Sequence, residues 1–323
     1  MREPGSEETN DGSTMMTPSV DVLMLAYNVA PFIAEAVEGV LAQRTGFPVR
    51  LIIAEDGSTD GTTTLCERLA QAHPGRILYI PGEANLGIAA RTLKGLEQCT
   101  AKYVAICDSD DRWTDTMKLA DQVGFLESHP DHGVSYTDVE IISRDGAVLE
   151  EDDYAGVRAC YVEGAVFVPL LQGNFINNST AVARRELLAE LRPNACRDNL
   201  IGDHLRWLQS AMRSRVHFLP RRTTGYRLGG ITSQPDVHAR NKRIMSAALG
   251  GLILEHSRFK PRLSAREKAV LFRKTAGVIG RSGTALSLRA ALLVPLVKYI
   301  PASIGEWRAV FRKTGKGPLA CGH

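Results

Sequence analysis

An acidic cluster directly follows a short apolar run in the first third of the chain. Asp108, Asp110 and Asp111 lie within four residues, after the apolar segment 103–107. Carboxylates this close repel one another strongly unless a cation or solvent neutralises them. Mg²⁺ and Mn²⁺ prefer oxygen ligands and commonly combine one or two carboxylates with phosphate oxygens. The cluster therefore predicts a divalent-metal site for a nucleotide diphosphate, with the acidic first turn of a helix as the alternative.

Two more polar loops follow apolar runs earlier in the chain. The run 20–26 leads into the loop around residues 26–28, and the run 49–55 leads into the glycine-containing loop 55–62. Glycine allows close backbone approach, and the carboxylates of the second loop can accept hydrogen bonds from a nucleobase or ribose. A turn before an N-capped helix explains the same residues equally well. Because the carboxyl ends of parallel strands lie along one edge of a sheet, all three loops are expected to line one pocket.

The elements that must position these loops alternate between apolar strands and amphipathic helices. This alternation is typical of βαβ units around a parallel sheet. The predicted strands are Val20 to Ala26, Val49 to Glu55, Arg76 to Ile80, Lys102 to Cys107 and Gly133 to Ile142. The predicted helices are Pro31 to Gln43, Thr62 to Ala72, Ile88 to Gln98 and Thr114 to Ser128. After residue 142 the alternation loosens into turns and loops.

Charge divides the chain into an acidic body and a basic end. Residues 236–323 hold 17 Lys and Arg against 4 Asp and Glu, whereas the whole chain of 323 residues has a net charge of only +3. Residues 1–19 are rich in Glu, Gly, Ser, Thr and Pro, which predicts a disordered N-terminal tail. The expected organisation is this tail, one α/β domain over 20–235 and a basic helical region over 236–323.

Cysteine usage and hydropathy point to a cytoplasmic protein. The six cysteines form no Cys-x-x-Cys pair, so neither a disulfide framework nor a zinc ribbon is indicated. A signal peptide begins with a basic segment followed by an apolar one, and the first nineteen residues show neither. The apolar run Ala290 to Val297 has eight residues, well below the roughly 20 that span a bilayer.

The ordered motifs resemble those of family 2 glycosyltransferases. The resemblance is dense over residues 20–142, reaches more sparsely to about 234, and rests on several motifs at the family's spacing. It implies the GT-A fold: a Rossmann-like, mixed but mainly parallel sheet flanked by helices, here followed by a C-terminal helical region. The motifs are Val22 to Asn28, Leu41 to Gln43, Ile52 to Thr62, Asn85 to Gly87 and Asp108 to Asp111.

The resemblance also implies a reaction and a donor site. The expected activity is inverting transfer of a hexose-type sugar from a UDP- or dTDP-linked donor to a hydroxyl acceptor, in cell-surface polysaccharide or glycolipid biosynthesis. Mg²⁺ or Mn²⁺ would be held by Asp108, Asp110 and Asp111. The residues expected to contact the nucleotide sugar are Ala26, Tyr27, Asn28, Glu55, Asp56, Asp108 and Arg227.

An inverting transfer needs a base that deprotonates the attacking hydroxyl. Residues 201–208 resemble the family's later acidic motif, which makes Asp203 the expected base. A helix-capping Asp is the structural alternative. His204 is a second candidate, although neighbouring side chains on a helix point about 100° apart. Residues 173–180 resemble the acceptor-side strand entry and are expected to contact sugar hydroxyls.

The sequence leaves alternative functions and partners open. A nucleotidyltransferase or another nucleotide-binding α/β enzyme would share the pocket and the metal, but the sequence has neither G-x-G-x-x-G nor G-x-x-x-x-G-K. A non-enzymatic binding module conflicts with the intact acidic residues, and no nucleic-acid partner is expected. The basic region 236–323 is interpreted either as a surface for the inner face of the cell membrane, where a lipid-linked acceptor would lie, or as a helical cap on the acidic body.

Overall fold

The computed structural model describes residues 19–149, 154–189, 202–228, 248–258, 263–281 and 284–300. Its centre is one eight-stranded sheet with the order β3-β2-β1-β4-β7-β6-β8-β5. The strands are β1 (Val20–Ala26), β2 (Val49–Glu55), β3 (Ile77–Ile80), β4 (Tyr103–Ile106), β5 (Arg112–Trp113), β6 (His132–Ile142), β7 (Val182–Arg184) and β8 (Arg215–Arg227). The first five predicted strands are all present, two of them with the predicted bounds.

Parallel pairing orders the first half of the sheet. β1 lies between β2 and β4 and is parallel to both, and β3 extends the sheet beyond β2. These strands read as almost continuous apolar runs because helices cover both of their faces. Ala26 pairs with Glu55 and Leu23 with Ile106, so three strands end along the same edge. This pairing brings the three polar loops together.

The second half of the sheet makes it mixed. β7 is antiparallel to β4 and β6, β8 is parallel to β6, and β5 is antiparallel to β8. The predicted α/β class with a mixed, mainly parallel sheet is thereby confirmed. The long strand β8 was not predicted, because Pro220, Arg221, Arg222 and Gly225 interrupt its apolar pattern. Its register against β6 shifts around Thr137 and Asp138, which accommodates the irregular stretch.

Helices flank the sheet with bounds close to the predicted ones. The fourth helix begins at Lys118 and not at Thr114, because Arg112–Trp113 pairs with β8 as a short strand. The first begins after Pro31, which lies in the preceding turn. The helices of the body are α1 (Ile33–Leu41), α2 (Thr62–Ala72), α3 (Ile88–Glu97), α4 (Lys118–Ser128), α5 (Ala155–Arg158), α6 (Phe167–Leu170), α7 (Arg185–Ala189) and α8 (Gly202–Arg213), with a 3₁₀ turn at Asn178–Thr180.

The described part of the C-terminal region is helical. It contains α9 (248–256), α10 (Ala265–Ile279) and α11 (Leu286–Lys298). Apolar side chains of these helices, such as Leu252 and Leu271, belong to the same buried cluster as Leu23 of β1. None of the described helices has the length and apolar character needed to cross a bilayer. The predicted tail lies almost wholly outside the described residues, and the predicted domain bounds stay predictions.

Three of the cysteines lie in the core. Cys66, Cys99 and Cys107 are free and buried, as expected of small apolar side chains in a core. Cys160 is disulfide-bonded. That bond was not predicted, because no paired spacing marks it in the sequence. The cytoplasmic location stays a prediction.

Candidate active site

The first two polar loops are joined by hydrogen bonds. The backbone N–H of Asn28 donates to Ser58 Oγ at 3.0 Å, and its side-chain Oδ1 accepts from the Thr59 N–H at 2.9 Å. Asn28 has a φ of 51°, a left-handed conformation that Asn tolerates better than most residues. Ala26 is buried and Tyr27 is 36% exposed at the mouth of this double loop. The predicted nucleoside residues 26–28 and 55–56 therefore lie together.

The Glu55 carboxylate faces its own loop. It accepts hydrogen bonds from the Ser58 N–H at 2.5 Å and the Gly82 N–H at 3.1 Å. Burial alone would raise the pKa of Glu55, but bonds from Ser58, Gly57 and Gly82 outweigh it and the pKa is lowered. The Glu55 carboxylate is therefore charged, and its hydrogen bonds stabilise the turn at the start of loop 55–62.

The Asp56 carboxylate is also engaged within the protein. It accepts from the N–H groups of Leu86 and Gly87, both at 2.9 Å, and from Arg91 Nε at 3.2 Å. Asp56 and Arg91 are both almost fully buried. The Asn85 to Gly87 motif is thereby fixed against the end of β2, so these separate sequence motifs form one wall of the cleft.

Asp108 and Asp110 carry the least compensated charge of the site. Burial, followed by the charge of Asp110, raises the pKa of Asp108 to about 7. Burial also raises the pKa of Asp110, despite its own backbone N–H and the charge of Arg227. Within the described residues, the Asp110 carboxylate has no hydrogen-bond donor besides its own backbone. A nearby cation would stabilise the charged form of both carboxylates.

Asp111 points into the protein. Its Oδ2 accepts from Ser179 Oγ at 2.6 Å, and its Oδ1 accepts from the Arg227 N–H at 3.0 Å. Burial, then Asp110 and Asp108, raise the pKa of Asp111 well above its usual range. Because both of its oxygens already have donors, Asp111 connects the acidic loop to β8 and to the 3₁₀ turn.

Asn178 connects the acidic loop to α8. Its Nδ2 donates to Asp108 Oδ1 at 3.0 Å, and its Oδ1 accepts from Arg206 Nη1 at 2.9 Å. Arg206 is buried, and this burial lowers its pKa, opposed by the charges of Asp203 and Asp108. A cation from α8 therefore lies behind the carboxylate pair.

Asp203 lies in the first turn of α8, one turn before Arg206. Its Oδ2 accepts from Asn174 Nδ2 at 3.0 Å, and its charge contributes to the raised pKa of Asp108. The expected base and the expected metal ligand thus share one site. His204 is buried, and its Nε2 forms a hydrogen bond with the Leu170 carbonyl at 2.7 Å. The imidazole therefore has a structural role in the packing of α8.

Arg227 is buried beneath the acidic loop. Its guanidinium donates to the carbonyls of Asp110, Ser143 and Arg144 at 2.7, 3.0 and 2.8 Å, and to Glu35 Oε2 at 2.6 Å. Phe32 lies against its face at 4.7 Å. Its side chain is thus held within the protein, while its charge lies beside Asp110.

The family model described as glycosyl transferase family 2 matches residues 21–191, more than half of the chain. The chain belongs to glycosyl transferase family 2. This confirms the predicted family and supports the predicted enzyme class, a glycosyltransferase. It also favours that class over a nucleotidyltransferase.

Curated relatives of this family 2 glycosyltransferase include proteins of several bacteria. An uncharacterized protein of Mycobacterium tuberculosis is 36% identical over 167 residues, which are 52% of this chain and 47% of that protein. TuaG of Bacillus subtilis, named for teichuronic acid biosynthesis, is 30% identical over 182 residues, 56% of this chain and 68% of TuaG. The chain spans about half the length of the mycobacterial relatives it matches.

Solved structures share the fold at low sequence identity. S. aureus TarS 1–349 in complex with UDP-GlcNAc is 16% identical with a TM-score of 0.59, over 90% of this chain and 83% of that one. The mannosyltransferase PcManGT of Pyrobaculum calidifontis, in complex with GDP-Man and Mn²⁺, is 19% identical with a TM-score of 0.55, over 91% and 79%. At these identities the likeness establishes the fold alone.

A divalent metal fits the residues of this family 2 site. Among the described residues no three His, Cys, Asp or Glu side chains form a complete protein metal centre. Asp108 and Asp110 nevertheless offer carboxylate oxygens with few donors, since Asp108 accepts one hydrogen bond from Asn178 and the Asp110 carboxylate accepts none from the other described residues. Two carboxylates completed by phosphate oxygens are typical of Mg²⁺-type sites.

Four residues of the site have contacts that the sequence did not predict. Asn174, Asn178, Ser179 and Arg206 hold the candidate carboxylates through side-chain hydrogen bonds. The segment 173–180 was noted for acceptor contacts only. The i, i+3 spacing of Asp203 and Arg206, which places both on one face of a helix, is the signal that would have paired them.

Proposed function

We propose that this family 2 glycosyltransferase transfers a sugar from a uridine or thymidine diphosphate sugar to a hydroxyl acceptor, with inversion. The observation that carries the proposal is the joining of these carboxylates at one site: Asn178 bonds both Asp108 and Arg206, and Arg206 lies one turn after Asp203 on α8. A metal-binding pair on one side and a further carboxylate nearby are what an inverting displacement requires.

The donor is proposed to bind along the loops at the ends of β1, β2 and β4. Ala26, Tyr27 and Asn28 line the nucleoside site, where the exposed ring of Tyr27 is available for stacking. Glu55 and Asp56 shape this site, since their carboxylates fix the surrounding loops. Arg227 contributes positive charge next to Asp110, where the diphosphate is expected.

Asp108 and Asp110 are proposed to hold Mg²⁺ or Mn²⁺, with Asp111 supporting the loop that presents them. When bound, the cation neutralises charge that develops on the leaving diphosphate. Asp203 accepts the proton of the attacking hydroxyl while the new glycosidic bond forms. Asn174 holds Asp203 Oδ2 and leaves Oδ1 for the acceptor. Asn178 and Arg206 orient Asp108 from behind.

Two substitutions test this division of roles. Asp203→Ala should lower kcat by about 10²- to 10⁴-fold, the contribution typical of a general base, and leave Mn²⁺-dependent donor binding intact. Asp110→Ala should abolish transfer and also weaken that binding. Calorimetric titration with nucleoside diphosphate sugars and Mn²⁺, together with turnover assays, separates the two effects. Asp131→Ala, at a 63% exposed carboxylate, is the control. An active Asp110→Ala protein that keeps its metal dependence would contradict the assignment.

The acceptor is proposed to be a saccharide or a lipid-linked saccharide at a membrane surface. Support comes from α11, whose outward side carries Leu286, Leu293, Val294 and Val297 at 52–81% exposure, with Ile300 just after the helix at 45%. Among these, Arg289 and Lys298 add positive charge, and the surrounding region 236–323 is strongly basic. An apolar strip with basic flanks is complementary to an anionic lipid surface.

A further inference from the structure

Two asparagines of one short segment each bond a carboxylate of the proposed reaction centre. Asn174 Nδ2 donates to Asp203 Oδ2 at 3.0 Å. Four residues later, Asn178 Nδ2 donates to Asp108 Oδ1 at 3.0 Å. Asp203 lies on α8 and Asp108 follows β4, so these carboxylates come from distant parts of the chain. The proposed base and the proposed metal ligand are therefore held by the same stretch of backbone.

The orientation of each side-chain amide is fixed by a neighbour that can only donate. Asn174 Oδ1 accepts from the Ile176 backbone N–H at 3.2 Å. Asn178 Oδ1 accepts from Arg206 Nη1 at 2.9 Å. A backbone N–H and a guanidinium offer no acceptor atom, so the amide oxygen must face them and not the amide nitrogen. Each NH₂ group is thereby directed to its carboxylate.

The segment between the two asparagines is itself held in place. Phe175 and Ile176 are almost fully buried in the core. The Asn177 side chain accepts from the Ser179 N–H at 2.9 Å and so caps the 3₁₀ turn. Ser179 Oγ in turn accepts from the Asp108 N–H at 2.9 Å. A stretch that is buried and capped in this way allows little change in the separation of the two amides.

Several titratable groups face the Asp203 carboxylate. Arg206 lies one turn along α8 and attracts it, whereas Asp108 of the acidic loop repels it. His204 on the same helix and Tyr226 on β8 are further titratable groups within reach of its charge. The amide donor from the segment favours the charged form of the carboxylate, which a general base must have.

We propose that Asn174 and Asn178 are positioning residues, which hold the base and the metal ligand at a fixed separation and present an N–H donor to each. The inference rests on the proposed function, because it takes Asp203 as the base and Asp108 as a metal ligand. For the base, the donor favours the anion that accepts the proton. For the metal ligand, it fixes the orientation in which a cation is bound.

Asn174→Asp tests the contact with the base. The new carboxylate can still accept from the Ile176 N–H, but it faces Asp203 with a negative charge in place of an N–H donor. Two carboxylates this close are both ionised only at higher pH. In Mn²⁺-dependent turnover of the nucleotide sugar that the wild type uses, kcat at pH 7 should fall about 10-fold or more and recover toward the wild-type value at pH 9. Mn²⁺-dependent nucleotide binding should stay within about threefold of the wild type.

Gln98→Glu is the matched control for this change. It converts an amide to a carboxylate at an exposed position at the C-terminal end of α3 and should keep the wild-type pH profile. A folded Asn174→Asp protein with the wild-type profile would overturn the proposal, as would one whose kcat stays low at pH 9.

The contact with the metal ligand is tested by calorimetric titration with Mn²⁺ and UDP or dTDP, without turnover. Asn178→Leu removes the donor to Asp108 and should weaken Mn²⁺-dependent nucleotide binding about 10-fold or more, as is typical of groups that orient metal ligands. Asn178→Ser has a shorter polar side chain and should weaken it as well, so a folding defect of the leucine variant does not decide the result. Equal binding by the wild type and Asn178→Ser would overturn the proposal.

Failure of the proposed function has a different signature. A wild type that turns over no nucleotide sugar contradicts the proposed function, while nucleotide binding by the Asn178 variants still decides the positioning of Asp108. A wild type that binds neither nucleotide with Mn²⁺ contradicts both. An active wild type that Asn174→Asp and Asn178→Ser match in pH profile and in nucleotide binding contradicts the positioning roles alone.

Discussion

The five acidic residues at the strand ends have different environments. Glu55, Asp56 and Asp111 accept hydrogen bonds from neighbouring loops, and these bonds maintain the geometry of the site. Asp108 accepts one hydrogen bond, from Asn178, the Asp110 carboxylate accepts none from the other described residues, and burial raises the pKa of both. A buried carboxylate with several donors is stable as an anion, whereas one without them requires a proton or a cation. Environment, rather than residue type, separates supporting carboxylates from the proposed ligands.

The main contribution of Arg227 is expected to be to the folding stability of the protein. Arg227→Met removes a buried guanidinium with four acceptors and should lower the free energy of unfolding by about 2–4 kcal/mol, because those acceptors lose their donor. Urea unfolding measures the change. Arg222→Met is the matched control on the same strand, at a 54% exposed side chain, with an expected loss below about 1 kcal/mol. An Arg227→Met protein of wild-type stability that loses only donor affinity would instead place the guanidinium on the diphosphate.

At the scale of elements, the 3₁₀ turn Asn178–Thr180 connects the acidic loop to the rest of the fold. Its side chains hold Asp108 and Asp111, and its carbonyls accept hydrogen bonds from side chains of β5 and α4. Trp113 Nε1 donates to the Ser179 carbonyl at 2.7 Å, and Lys118 Nζ donates to the Thr180 carbonyl at 3.1 Å. Helix α4 therefore positions the turn that positions the carboxylates.

The buried ammonium group of Lys118 is expected to make the folding stability depend on pH. Burial lowers the pKa of Lys118 to about 7, against about 10.4 in an unfolded chain. Between these values the unfolded state binds more protons, so the contribution of Lys118 to stability rises with pH, by up to about 1.4 kcal/mol per pH unit. Lys118→Met should lack this rise from pH 7 to 9 in urea unfolding, whereas Lys94→Met, at an exposed position, should keep it. A Lys118→Met protein with the wild-type slope would show that the ammonium is not excluded from water.

At the scale of the whole molecule, charge and exposed apolar surface are separated along the chain. Before residue 236 the chain has 22 Lys and Arg against 32 Asp and Glu, and after it the balance reverses. The described C-terminal helices share the core of the sheet, which keeps their basic surface attached to the catalytic body. Among the described residues, the largely apolar helix α11 buries Leu292 and Pro295 on one side and exposes Val294 and Val297 on the other.

Membrane docking through α11 is tested by one charge placed on its uncovered side. Val297→Glu, at a 65% exposed position, should reduce flotation with phosphatidylglycerol vesicles at least 10-fold, because a carboxylate enters the lipid surface unfavourably. Val148→Glu introduces the same charge at a 53% exposed valine of another surface and should float as the wild type does. Wild-type protein that ignores anionic vesicles, or a Val297→Glu protein that binds them equally, would exclude this surface as a docking site.

The sequence by itself determined the strands, helices and loop motifs of the first half. Long apolar runs and local turn chemistry suffice for that, since hydrophobic periodicity is a local signal. Strand β8 could not be predicted from the sequence, because its polar residues and Pro220 interrupt the apolar pattern of a strand. Only its pairing with β6 specifies it.

Tertiary structure alone decided what each site side chain contacts. Asn174 meets Asp203 across 29 positions, Asn178 meets Asp108 across 70, and Arg227 meets Glu35 across 192. No local pattern encodes such pairings, because they depend on how distant segments cross the sheet edge. Burial and hydrogen bonds together then set the charge of each carboxylate, and both exist only once the chain has folded.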